Sequence, residues 1–212
     1  MDTKDVLTIS FTFIGLVVSV TTLYLTQFRR AKITASLGPL VHIYYYESDR
    51  CGIYLPVVFH NQSPTKAIVY KAFLELEDAS GNNFALKWLT SNDIDKSINY
   101  SERGPAAPFK IDGFEAISNA LLFMWQNHPT IQQLEFLEGS YRSKLHIWIS
   151  DRVRPDVTVT ERFDIDEELA AIMAEKKRTG DNTTRYFPLA GKGMISFSTG
   201  KNPVDFAHLP QP

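Results

Sequence analysis

The side chains able to do chemistry are sparse in this chain and lie far apart. Its five histidines, His42, His60, His128, His146 and His208, form no HExxH or HxH pair, and the single cysteine, Cys51, has no second thiol with which to share a metal. His60 and His146 fall in runs that read as strands, where a histidine is ordinarily structural, and Cys51 has only Arg50 as a neighbouring cation and reads as an idle thiol. Gly191-Lys192-Gly193 is too short for a phosphate loop and reads as a turn, and no GxSxG elbow marks a nucleophile. The expectation is a chain that is not an enzyme, with no catalytic residue, no cofactor and no metal.

The chemical groups that do recur at a regular interval are hydroxyls. Thr8, Thr12, Gly15, Ser19, Thr22 and Thr26 follow one another at spacings of 4, 3, 4, 3 and 4, which lays small residues along one stripe of a helix. Phe11, Phe13, Leu16, Val17, Val20, Leu23 and Leu25 cover its other faces. In lipid, small residues let helix backbones approach and hydroxyls bond across the contact, so the stripe reads as a surface for self-association or for docking on a partner membrane protein. The competing reading is a lone anchor in which each hydroxyl bonds its own i−4 carbonyl.

The element that carries this stripe is the most informative in the chain. Val6 to Phe28 runs about 23 residues without a charge, a helix of roughly 34 Å against a hydrocarbon core of about 30 Å. A cleaved signal peptide would have a basic start and a shorter apolar run, whereas here the start is Met1-Asp2-Thr3-Lys4-Asp5 and the cations Arg29, Arg30 and Lys32 lie on the far side. By the positive-inside rule these three set the topology, with the N-terminus outside and the C-terminal part in the cytoplasm, at the inner membrane of a cell. The expected division is an anchor over 1–30, a cytoplasmic domain over 31–200 and a loose tail over 201–212.

Composition bounds the domain. Hydrophobic residues at 44% and charged residues at 22% suit a globular fold, and a net charge of −2 with no basic stripe argues against nucleic acid. One cysteine allows no intrachain disulfide, in keeping with a reducing compartment. Three sequons, at Asn61, Asn99 and Asn182, would meet no glycosylation machinery there.

Along the domain the dominant period is two. Ile53, Leu55, Val57 and Phe59 alternate up to the turn Asn61-Gln62-Ser63-Pro64, and Ile68, Tyr70, Ala72, Leu74 and Leu76 up to Ser80-Gly81-Asn82-Asn83. Further strands are expected at 84–88, 41–46, 109–111, within 116–125, at 141–149 and at 157–165. Short alternating strands with frequent turns predict a mainly-β domain, an antiparallel, Ig-like β-sandwich. One helix is expected at about 166–179. Glu167 and Glu168 lie in its first turn, Leu169, Ile172 and Met173 form an apolar stripe, Lys176-Lys177-Arg178 fill the last turn and Gly180 stands beyond. Phe187, Ile195 and Phe197 suffice for another strand or two. Among Tyr44, Tyr45 and Tyr46 at least one ring must face outward, and Trp125 and Trp148 are expected in the core.

The run from Leu25 to Ile33, followed by Leu37-Gly38-Pro39 and by Tyr54-Leu55-Pro56-Val57-Val58-Phe59-His60-Asn61, resembles a group of uncharacterised bacterial proteins with one N-terminal membrane helix and a cytoplasmic β-rich domain. The resemblance implies a topology and no activity. The expected function is a membrane-anchored interaction or scaffold module, in which the helix holds the domain at the bilayer and the domain binds a cytoplasmic protein or a small ligand. The alternative is an oligomeric effector, for example in antiphage defence, whose domain gates a bundle of the hydroxyl-lined helices.

Overall fold

A computed structural model describes residues 2–25, 31–46, 50–94, 100–126, 133–150 and 153–190. Among these residues helix α1 (Thr3–Leu23) is followed by twelve strands and one further helix. The strands are β1 (Ile33–Leu37), β2 (Leu40–Tyr46), β3 (Arg50–Asn61), β4 (Ala67–Val69), β5 (Lys71–Glu77), β6 (Asn83–Ile94), β7 (Tyr100–Pro105), β8 (Phe109–Ile111), β9 (Ala116–Gln126), β10 (Gly139–Trp148), β11 (Val157–Ile165) and β12 (Arg185–Pro188), with α2 (Glu167–Thr179) before the last. The period of two is realised as burial: Ile53, Leu55, Val57, Phe59, Leu74 and Leu76 are all sealed from solvent. Each such side chain contributes about 1.5–3 kcal/mol of transfer free energy.

Every strand pairing is antiparallel, as expected, but the strands do not divide into two stacked Ig-like sheets. They form one ten-stranded sheet in the order β11-β10-β5-β6-β9-β3-β2-β12, with β1 added on β3 and β7 on β6, while β4 and β8 pair separately. The sheet curls into a nearly closed barrel because β11 runs alongside β1 and bridges the residues after β12, through Phe163 opposite Leu189. Ala190 N–H donates to the Arg162 carbonyl at 2.6 Å and Leu189 N–H to that of Pro39 at 2.9 Å. The interior is filled by aromatic contacts that run from Tyr45 to Phe136, Tyr141, Phe163 and Phe187, the Tyr141 and Phe163 rings stacking at 5.3 Å. The Tyr141 hydroxyl also accepts from Leu137 N–H at 2.7 Å, so the 134–137 segment is pinned inside the barrel mouth.

Strand β3 tolerates a proline at its centre because of a local switch of partner. Its N-terminal half pairs with β2 and its C-terminal half with β1, and at the break Gly38 N–H donates to the Pro56 carbonyl at 2.7 Å. The missing proline N–H therefore falls at the gap between the β1 and β2 ladders.

The second alternating run is corrected by the structure. Ile68 and Tyr70 are exposed whereas Ala67, Val69 and Ala72 are buried, so the inward parity slips by one at Tyr70. The cause is that β4 pairs with β8 and not with the main sheet, and the Tyr70 N–H crosses to the Trp148 carbonyl at 2.8 Å where β5 begins. The tryptophans also differ: Trp125 packs half-buried against the core, and Trp148 lies on the outer surface with the Lys71 ammonium 4.8 Å from its ring centroid. Tyr45 is buried and Tyr46 faces solvent, as three consecutive strand residues require. Strands β1 and β7 were not expected, and Ile195, Phe197 and the 201–212 tail lie outside the described residues.

Helix α2 forms as its charges dictate. The Asp166 carboxylate accepts from Leu169 N–H at 2.8 Å, and Gly180, at φ 70°, ends the helix in a left-handed conformation. Met173 seals against the core, but Lys176 in the last turn is also buried, with 3% exposure. Its ammonium bonds Asp181 at 2.7 Å and the Thr183 hydroxyl, and so ties the connection that leads into β12.

Strand β12 lies over His42, which is 1% exposed and packs edge-on against Tyr186. Burial pulls the His42 pKa down from 6.5 to about 4, so the ring is neutral in the fold while the unfolded chain binds the proton first. The stability linked to His42 is whole above pH 6.5 and is lost as the pH falls towards 4, at up to about 1.4 kcal/mol per unit and about 3 kcal/mol in all. Thermal melts of wild type and His42→Phe should therefore diverge between these limits, with the wild type falling faster on acidification. Parallel pH profiles would exclude His42 as the source.

Candidate functional site

The hydroxyl stripe is placed on α1, whose side chains are all exposed. Thr8 Oγ1 donates to the Lys4 carbonyl at 2.9 Å, Thr12 Oγ1 to that of Thr8 at 2.8 Å and Ser19 Oγ to that of Gly15 at 2.8 Å. The helix thus satisfies these three hydroxyls by itself, and around Gly15 a Cβ would meet nothing within 4 Å. Thr22 is also on α1; Thr26, Arg29 and Arg30 lie outside the described residues.

Lys32 is the one topology residue within the described domain, and it marks the end of the barrel at which the chain enters. Its N–H donates to Ser63 Oγ at 3.2 Å and its carbonyl accepts from Gln62 N–H at 2.8 Å. Beneath it sits Asn61, fully buried, the hub of this end. Asn61 Nδ2 donates to the carbonyls of Thr65 at 2.8 Å and Asp112 at 2.9 Å, and its Oδ1 accepts from the Ser63 N–H at 3.1 Å and hydroxyl at 2.7 Å. The turn after β3 is thereby stitched to the turn between β8 and β9. Gly113 supplies the close approach, since a Cβ there would collide with the Pro64 carbonyl. Phe114 follows at the tip, with φ 58° and 69% exposure.

Beside this hub lies a cleft of about 660 Å³, lined in part by Ala31, Lys32, Lys66, Ile68, Tyr70, Ser150 and Asp156. The Asp156 carboxylate is occupied locally: it accepts from the N–H groups of Ile149 at 2.8 Å and Ser150 at 3.1 Å and from the Ser150 hydroxyl. It shapes the β10–β11 loop, whose tip residue Val153 is 98% exposed and offers its carbonyl to Trp148 Nε1 at 3.4 Å. Lys66 and Lys110 both lean on Asp112, at 3.9 and 2.9 Å. Such exposed pairs contribute well under about 1 kcal/mol each.

The cleft offers ammonium, phenol and hydroxyl groups around an apolar floor, with no paired nucleophile and base. That donor set can bind a polar ligand of small-molecule size; it does not by itself transform one.

A second cleft, of about 410 Å³, opens at the far end between α2 and the 135–137 segment, where Lys177 pairs with Glu135 at 2.6 Å. Cys51 lies fully buried, and burial pushes its thiol well above the usual range, which makes it a poor nucleophile. His146 joins Lys144 and Glu75 in a surface cluster that holds the Glu75 carboxyl below its ordinary range, chiefly through the Lys144 hydrogen bond. Among the described residues no group of three or more His, Cys, Asp or Glu side chains could hold a metal ion.

Asn61 was legible only as part of a turn, and the Phe114 and Val153 tips were not singled out by sequence. Asp112-Gly113 was the available signal for the first tip.

No family model matches the chain, and no curated protein matches it. Among solved structures, a family 123 glycoside hydrolase from Clostridium perfringens is similar at a TM-score of 0.32 and 10% identity, over 64% of this chain and 27% of that one.

Removing the Asn61 amide should leave the buried Ser63 N–H without its partner and the Thr65 and Asp112 carbonyls with only their longer bonds, from Ser63 Oγ at 3.2 Å and Glu115 N–H at 3.3 Å. Asn61→Ala is expected to cost about 1–3 kcal/mol, read as a lowered midpoint in denaturant. A midpoint unchanged from wild type would rule out the hub.

Proposed function

We propose that the protein is a membrane-anchored interaction module: α1 crosses the inner membrane, its small-residue stripe contacts a second copy or a partner membrane helix, and the barrel meets a cytoplasmic protein or small ligand at its clefts. The observation that carries this reading is that α1, 21 residues long with an 18-residue apolar window of mean hydropathy 2.1, has no residue buried by the barrel. So much apolar area needs a cover, and its length matches a bilayer. The excess of cations after the span, Arg29, Arg30 and Lys32, supports an N-out orientation with the barrel inside. The retained stripe supports helix contact, because open space around Gly15 lets another backbone come close.

Two measurements test it. Gly15→Leu with Ser19→Leu fits the isolated helix, so its effect reports contact between helices; crosslinking in membranes should fall roughly tenfold, and undiminished crosslinking would overturn the contact. A C-terminal phosphatase that works only outside the cytoplasm should stay inactive, and activity would reverse the orientation.

A further inference from the structure

We propose that the entry end of the barrel seats directly on the bilayer surface, with Phe114 and Val153 inserted at the level of the lipid headgroups. This rests on the reading of α1 as a membrane span. From Leu25 to Ala31 is six residue steps, so the chain can separate the helix from the barrel by no more than about 22 Å. The end of the barrel that begins at Ala31 is therefore held at the interface whichever side of the membrane it occupies.

That end carries the apolar residues such a position calls for. Outside α1, Val153 and Phe114 are the two most exposed large hydrophobic side chains among the described residues, at 98% and 69%. Both stand here: Phe114 N–H bonds the Ser63 carbonyl at 3.0 Å, and the Val153 loop lines the same cleft as Ala31 and Lys32. Tyr70 and Ile68 line that cleft, 48% and 38% exposed, and tyrosine is a residue of the headgroup zone. The Phe114 backbone adds an independent argument. Its φ of 58° lies in the left-handed region, where asparagine or glycine sits without the steric cost that a bulky side chain incurs. Turn geometry thus disfavours phenylalanine at this tip, and the ring gains little burial within the barrel in return.

Charge plays a small part. Among the described residues at this end Lys32, Lys66, Lys110 and Arg154 are nearly balanced by Asp112, Glu115 and Asp156, and the excess positive charge lies in the preceding Arg29 and Arg30, away from the apolar tips in sequence. The docking is apolar, needs no anionic lipid and resists salt, unlike a polybasic contact.

The test uses the full chain reconstituted in phosphatidylcholine vesicles. Cys51 is sealed in the core, so a polarity-sensitive fluorophore can be directed to Phe114→Cys, Val153→Cys or, at the opposite end, Leu137→Cys. Blue-shifted emission quenched by headgroup spin labels is expected at the two tips and water-like emission at 137, unchanged in high salt. Water-like emission at the tips, in protein that resists alkaline carbonate extraction, would overturn the docking while leaving the anchor intact, and would leave the face to a protein partner. Extraction by carbonate would overturn the anchor and the docking with it. In a separate arm the fluorophore sits at Ile68→Cys, and Phe114→Asn with Val153→Ser should abolish its blue shift without lowering the melting temperature. A lowered melting temperature with the blue shift retained would assign the tips to folding and overturn the proposal.

Discussion

A strand whose alternate side chains are buried needs something to cover that face, and in this barrel the cover is the same sheet after it has curled round. Closure at the seam between β11 and the residues following β12 is therefore the constraint on which the rest depends. Without it β12 and β11 would be edges, each with a row of unpaired N–H and C=O groups, and the aromatic series from Tyr45 to Phe187 would be open along one side. The hydrogen bonds from Ala190 and Leu189 are few, but they fall beside Phe163 and Phe187, both sealed from solvent. Backbone pairing and ring packing thus support each other at one place.

The seam is held from outside by a charge. Lys176 would be costly to bury alone, and its bonds to Asp181 and Thr183 offset that cost only when the connection to β12 is in position. Exposed Asp181 accordingly has its pKa lowered to about 2, first through the Lys176 hydrogen bond. The same strand that lies against His42 is thus located by an ion pair on one side and by a neutral ring on the other.

Much of this architecture was legible in the residues. The strands at 109–111 and 157–165 and the helix with its acidic start, basic end and terminal glycine were predicted to within a residue, because local alternation and capping chemistry determine them. What escaped was non-local. The parity slip at Tyr70 could not be read, since Ile68 and Tyr70 are as apolar as an inward face requires and only the β4–β8 pairing turns them out. Nor could barrel be told from sandwich, because both impose the same period of two and differ only in which edges meet. Short β1 was hidden behind the basic flank of the helix, though Ile33 and Leu37 bracket a readable alternation. At the entry end, Gly113 signals a turn, yet the structure uses it for space and assigns the left-handed conformation to Phe114.

Strand β12 has a consequence in time. It pairs Phe187 with Val41, partners separated by nearly the whole domain, so the ladder that completes the barrel joins the two most distant parts of the described fold. During synthesis β2 and β3 leave the ribosome long before their last neighbour exists, and pairings of such high sequence separation form late. Until then a hydrophobic edge is available to any other strand, and the nascent domain is most vulnerable to misassembly in the interval before its final described residues emerge.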